Sequence, residues 1–216
     1  MCRSLTTMLF ALLTSLAAHA ENTTMDNRLH NAARQDDVRT LQQLLAEGAR
    51  LESRDEQGRT ALLVATHGNQ VAAAQALIQA GADVNAKDNI DDSPYLYAGA
   101  RGLNDILRLT LSHGANLRST NRYGGTALIP AAERGHVETV QMLIDAGVDV
   151  NHLNHLHWTA LMEAVILGDG GPRHVEIVRR LLAAGADRQI ADKDGVTALE
   201  HARQRGYREM EALLAQ

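Results

Sequence analysis

The sequence predicts an all-α solenoid of about six helix-turn-helix units joined by short β-hairpin loops. Three observations carry that expectation. Gly48, Gly81, Gly114 and Gly147 fall 33 residues apart, and Gly185 follows after 38. Thr60, Ser93, Thr126, Thr159 and Thr197 keep the same beat, with the same longer step at the same place. Two markers sharing one insertion are the signature of internal repetition. The composition is 45% hydrophobic but only 3% aromatic, with a single Phe in 216 residues. Leu and Ala must therefore fill the interior, as they do between packed helices.

The first twenty residues read as an export leader. Arg3 supplies a positive start, Met8 to Ala18 is almost wholly apolar, and Ala18-His19-Ala20 presents small residues to a signal peptidase. Cleavage is expected after Ala20, because the apolar run is too short for a comfortable membrane span. Cys2 precedes that run and cannot become a lipidated N-terminus. Loss of the leader removes the only cysteine and leaves a net charge of -6, against -5 for the whole chain. A mature chain without disulfides fits a bacterial periplasm better than a secreted eukaryotic domain. No later stretch is apolar enough for a membrane helix. The acidic balance argues against nucleic-acid binding through net charge.

Residues 21–26 read as a short linker, and the repeats as roughly 27–54, 55–87, 88–120, 121–153, 154–191 and 192–216. Within each, a Thr or Ser precedes a short apolar helix, as in Thr60-Ala61-Leu62-Leu63-Val64-Ala65. Its hydroxyl can cap the first turn. A Gly turn follows, then a second amphipathic helix such as Val137 to Ile144, with apolar residues three and four apart. A Gly closes it in the left-handed conformation a helix end favours. An extended hairpin such as Asp83-Val84-Asn85-Ala86-Lys87-Asp88 leads onward. The first and last repeats are atypical and read as caps.

Gly124-Gly125-Thr126-Ala127-Leu128, Gly135-His136-Val137-Glu138 and Ala146-Gly147-Val148-Asp149-Val150-Asn151 make up one copy of a longer pattern, and Asp194 to Leu199 opens the last. On these motifs the chain resembles the ankyrin repeat family over about residues 27 to 216. The family's Pro after Thr is kept only at Pro94, and its His only at His30, so bracing between repeats is expected to be weaker. The resemblance implies a concave face that grips another protein. The family's contact slots fall here on Arg59, His67, Arg101, Arg122, Tyr123, Glu133, Arg134, Leu156, Trp158 and Arg205. Trp158 and Tyr123 on hairpin tips, with Arg nearby, have the composition of interface hot spots. Arg101, Arg134 and Arg205 share one helix-end slot, which implies a relatively basic groove. The chain also resembles small exported bacterial ankyrin proteins, some of them associated with periplasmic catalase and peroxide protection. That likeness suggests a periplasmic enzyme such as a catalase as the client; the chain itself is expected to be a monomer.

Residues that could carry chemistry are few. His152, His155 and His157 crowd one hairpin, and imidazoles bind zinc, copper or haem iron. A metal or haem carrier is the alternative function. Alternate hairpin residues point apart, however, so no metal or cofactor is assigned. Leu167 to His174 holds the five-residue insertion, whose glycines and Arg173 could cradle an anion. The mature chain has no cysteine, no G-x-S-x-G elbow and no H-E-x-x-H, so no enzyme is expected.

Overall fold

A computed structural model describes residues 23–216; the leader and its cleavage position at Ala20 lie outside them. The described residues divide into two compact units, the first ending at Asp83 and the second Val84–Gln216.

In the first, α1 (residues 23–34) and α2 (Val38–Ala46) form one helix pair, α3 (Ala61–His67) and α4 (Val71–Gln79) the next. Every residue of α3 from Ala61 to Thr66 is buried, which is why that helix is apolar on all sides. Thr60 caps it, its hydroxyl accepting the Leu63 N–H at 3.3 Å. Residues 23–26, expected to be linker, belong to α1. The reason is Asp26, which is buried and accepts the backbone N–H of Arg50 at 3.0 Å as well as its guanidinium. His30, the one retained family His, sits 2.7 Å from the Asp26 carbonyl and 3.1 Å from the Arg59 carbonyl through its two ring nitrogens.

The second unit holds four pairs: α5 (Pro94–Arg101) with α6 (Asn104–Ser112), α7 (Leu128–Glu133) with α8 (Val137–Asp145), α9 (Ala160–Ile166) with α10 (Pro172–Ala183), and α11 (Ala198–Arg205) with α12 (Arg208–Leu214). The first helices stack in the order α5, α7, α9, α11, and the second helices α6, α8, α10, α12 form the other layer. Leu128, Leu143, Leu161 and Leu181 are fully or almost fully buried in this core. Gly99 of α5 lets α7 approach so closely that a Cβ there would meet that of Ala127 at 2.8 Å.

Ser93, Thr159 and Thr197 cap their helices, the last in a reciprocal box with Glu200. Thr126 does not. In the other repeats the carbonyl of this residue accepts the N–H four positions on, as Thr159 does from Glu163 at 3.0 Å. Here that position is Pro130, which has no N–H. The Thr126 carbonyl takes Ile129 instead at 3.2 Å, α7 starts one residue late, and the Thr126 hydroxyl is buried without a partner.

The expected β-hairpins are corrected. Among the described residues the only strand-like pairing is an isolated bridge between Ala191 and Thr197. Each repeat is instead joined through a five-residue turn that begins at Asp55, Asp88, Asn121, Asn154 or Asp192. In all five the first residue's N–H donates to the fifth carbonyl, at 2.9 to 3.1 Å. Its side-chain oxygen accepts the N–H of the third and fifth residues. An Asx side chain that saturates the turn's donors leaves none for a ladder.

Candidate protein-binding groove

The Asx turn sets which tip side chains face solvent. Its third residue (Gln57, Ile90, Tyr123, Leu156 or Asp194) is exposed in every repeat, and its fifth (Arg59, Asp92, Gly125, Trp158 or Val196) in none. The second unit therefore carries an apolar series at one position on three consecutive tips: Ile90 at 49% exposure, Tyr123 at 63% and Leu156 at 53%. Leu167, just past α9, is 52% exposed. Among the described residues these four are the large apolar side chains left open to solvent.

Behind this series lies a groove of about 660 Å³. Its floor is built from one register position of three stacked helices, Tyr97, Pro130 and Glu163. Its far wall is their C-terminal ends, with Arg101, Glu133, Arg134 and Leu167, and its near wall the tips, with Arg122, Tyr123, His155 and Leu156. Six of the expected contact residues thus meet in one place: Arg101, Arg122, Tyr123, Glu133, Arg134 and Leu156.

Four others do not line it. Trp158, expected to be an exposed anchor, is the fifth tip residue and half-buried. Its backbone closes the turn through Asn154, with N–H to Oδ1 at 3.0 Å and carbonyl to N–H at 3.1 Å. Arg59 is tied to Asp55 in the first unit by its Nε at 2.9 Å and a salt bridge. His67 ends α3, half-buried. Arg205 ends α11, exposed.

The groove is of mixed charge rather than basic. Arg122 lies over the Tyr123 ring, 5.1 Å from its centroid, with Nη1 3.9 Å from Asp92. Arg101 lies 5.9 Å from the Tyr97 centroid. Arg134 donates to the Ala100 carbonyl at 2.6 Å. Against them stand Asp92, Glu133 and Glu163. Burial raises the Asp92 carboxyl above its ordinary range, with Arg122 opposing.

Glu163 is a groove residue that spacing and family slots do not mark. It is 5% exposed, its Oε1 accepts from Asn154 Nδ2 at 2.8 Å, and its Oε2 is buried without a partner. Burial foremost, then the nearby Glu133 charge, pushes its pKa up to about 7, while the Asn154 bond works the other way. The helix position of Glu163 is Val64, Tyr97, Pro130 and His201 in the other repeats. An acid in an otherwise non-acidic register slot was the available signal.

The three hairpin histidines are dispersed. His152 Nε2 lies 2.7 Å from the Gly124 carbonyl. The His155 ring packs where a Gly124 Cβ would meet it at 2.5 Å. His157 is exposed at φ 69° in the slot that is glycine in three other tips. Their ring nitrogens do not converge on a common point. The insertion is no anion cradle either. Asp169 Oδ1 fills it, accepting from Gly171 at 2.9 Å and lying 2.8 Å from His174 Nδ1. His174 Nε2 in turn reaches the Glu133 carbonyl at 2.9 Å, tying the loop to the groove wall. No helix among the described residues is long and apolar enough to cross a membrane.

The family model for ankyrin repeats (3 copies) matches residues 4–88 and 95–190. Among solved structures, an ankyrin repeat domain from Acinetobacter baumannii AYE is 64% identical, with a TM-score of 0.85 over 87% of this chain and 95% of that one. The ankyrin repeat protein EF0377 is 43% identical, with a TM-score of 0.85 over 88% and 98%. The human ASB11 ankyrin repeat domain is 26% identical, with a TM-score of 0.71 over 87% and 81%. A curated ankyrin repeat protein of Escherichia coli K12, YahD, is 47% identical over 53 residues. The match spans about a quarter of that relative's length. Paired helices on a shared beat, capped by Thr or Ser and joined by Asx turns, thus have matched counterparts along most of the sequence: the chain belongs to the ankyrin repeat family, whose repeats generally bind other proteins.

Proposed function

We propose that the chain is a non-catalytic protein-binding module of the bacterial periplasm whose client seats on the tips and groove of the second unit. The observation that carries this is the exposed series Ile90, Tyr123 and Leu156 beside the groove. Contiguous apolar side chains rimmed by polar ones mark interaction sites, and aromatic anchors with Arg supply most of the binding energy. Exchange of both Tyr123 and Leu156 for Ala is expected to weaken client capture at least about tenfold. Unchanged capture by a folded double variant refutes the surface.

Export rests on the leader read at residues 1–20. Expressed in a Gram-negative host, the chain is expected in the osmotic-shock fraction with Glu21 as its first residue. Retention of the intact leader in the cytoplasm refutes the compartment. The likeness to exported bacterial ankyrin proteins directs the search for a client toward periplasmic enzymes of peroxide protection, such as a catalase. Co-purification of the cross-linked pair, identified by mass, tests that choice.

A further inference from the structure

We infer that the groove of the second unit receives a lysine or arginine side chain of the client, with Glu163 and Glu133 accepting its charge. The inference rests on the reading that the client sits here, and it names the chemistry the client must bring.

Glu163 is almost wholly buried, yet one of its carboxyl oxygens has no partner. Glu133, on the neighbouring α7, lies close enough for its charge to bear on Glu163. Among the described residues neither carboxylate is ion-paired. A buried carboxylate without an opposite charge is unfavourable, and a positive group arriving with a partner relieves it. The groove's own cations are committed elsewhere: Arg122 to the Tyr123 face and Asp92, Arg134 to the Ala100 carbonyl, and Arg101 to the Tyr97 face.

The walls select among cations. Leu156 and Leu167 stand over the groove, each more than half exposed. They suit the methylene stem of Lys or Arg, which lies along apolar surface while its head finds an acceptor. A hard metal ion would want a shell of oxygens in place of these aliphatic side chains. The volume of about 660 Å³ admits a side chain with its flanking residues.

The test is a random dodecapeptide library displayed on phage and selected on the chain without its leader. Dissociation constants are then measured for wild type, Glu163→Gln, Glu133→Gln and the Tyr123→Ala/Leu156→Ala variant. Gln keeps the shape of Glu and can still accept from Asn154, so folding is preserved, as circular dichroism will verify. The expected result is binders sharing a Lys or Arg next to an apolar residue. Their affinity should fall about tenfold or more on Glu163→Gln and less on Glu133→Gln. Replacing that Lys or Arg by Gln in the peptide should cost clearly less on the Glu163→Gln background than on wild type, and nothing further on a Glu133→Gln/Glu163→Gln background. Selected peptides without Lys or Arg, equal affinity for Glu163→Gln, or an empty selection overturns the inference. If binding survives Glu163→Gln but is lost in the Tyr123→Ala/Leu156→Ala variant, the groove reading stands and this inference alone falls. If it also survives in that variant, both fall.

Discussion

Glu163 holds its proton to about pH 7, whereas an ordinary glutamate releases it near 4.5. Below pH 4.5 both folded and unfolded chains carry the proton and the group is neutral in the balance. Between 4.5 and 7 the unfolded chain ionises first, so stability falls as pH rises. Above 7 the penalty levels off at about 3 kcal/mol. Glu163→Gln removes the ionisation. In urea unfolding it is expected to match wild type at pH 4.5 and to gain about 2–3 kcal/mol at pH 8. An equal difference at both pH values would show that burial is not what raises this group. His157 is a second local misfit. At φ 69° it occupies a conformation that costs an L residue about 1–2 kcal/mol, against which Gly loses up to about 1 kcal/mol of unfolded-state entropy. His157→Gly should therefore raise the free energy of unfolding by a net of roughly 0.5–1 kcal/mol, read as a higher urea midpoint. A drop would reveal a contact of the His157 ring that outweighs the backbone.

Tips and helix starts obey one design with two variations, and each variation is testable. Asn121 and Asn154 both accept two backbone N–H groups within their turns, but Asn154 also donates to Glu163. Loss of the turn acceptor is worth about 1–2 kcal/mol, and of the buried bond about 1 more. Thermal unfolding of Asn121→Ala and Asn154→Ala is expected to show the second as the more damaging; equal costs would mean the Glu163 bond contributes nothing. At α7, Pro130→Val would restore an N–H for the Thr126 carbonyl and allow Thr126 to cap. The gain of about 1–2 kcal/mol from bond and cap exceeds the roughly 0.5–1 kcal/mol that Pro contributes by restricting the unfolded chain. A lower midpoint in the Val variant would show that Pro130 is selected for rigidity at the groove floor. The Asx residues recur on the same 33-residue beat as the glycines. They were legible, yet read as hairpin entries because a strand and an Asx turn share the same polar residues.

In the four-pair unit, stability depends on every pair covering its neighbour. The last pair buries Ala198, Ala202, Met210 and Leu214, while Arg203, Arg205, Arg208 and Glu209 face outward. This is the polar outer side that a terminal repeat requires. Removal of residues 192–216 would uncover apolar surface of α9 and α10, at a cost on the order of 5 kcal/mol. The truncated chain is expected to unfold at lower urea and to aggregate at concentrations where the full chain does not. An unchanged urea midpoint would mean that the pair is an appendage rather than a cap.

Periodicity alone reached the helix pairs and the glycine ends, because every repeat solves the same burial problem with the same spacing. Slot position is preserved from one repeat to the next, so it places Arg122, Tyr123, Arg134 and Leu156 at equivalent tips and helix ends, and all four line the groove. Whether a side chain at a given slot is covered depends on the residue stacked above and below it, and spacing carries no record of that. Trp158 turned inward with the closing of its Asx turn, and Pro130 delayed a helix by lacking one hydrogen. Glu163, on α9, is a buried acid where α7 packs against that helix and Asn154 covers one of its oxygens. Those outcomes belong to packing, where neighbours distant in the chain set exposure, charge and partner.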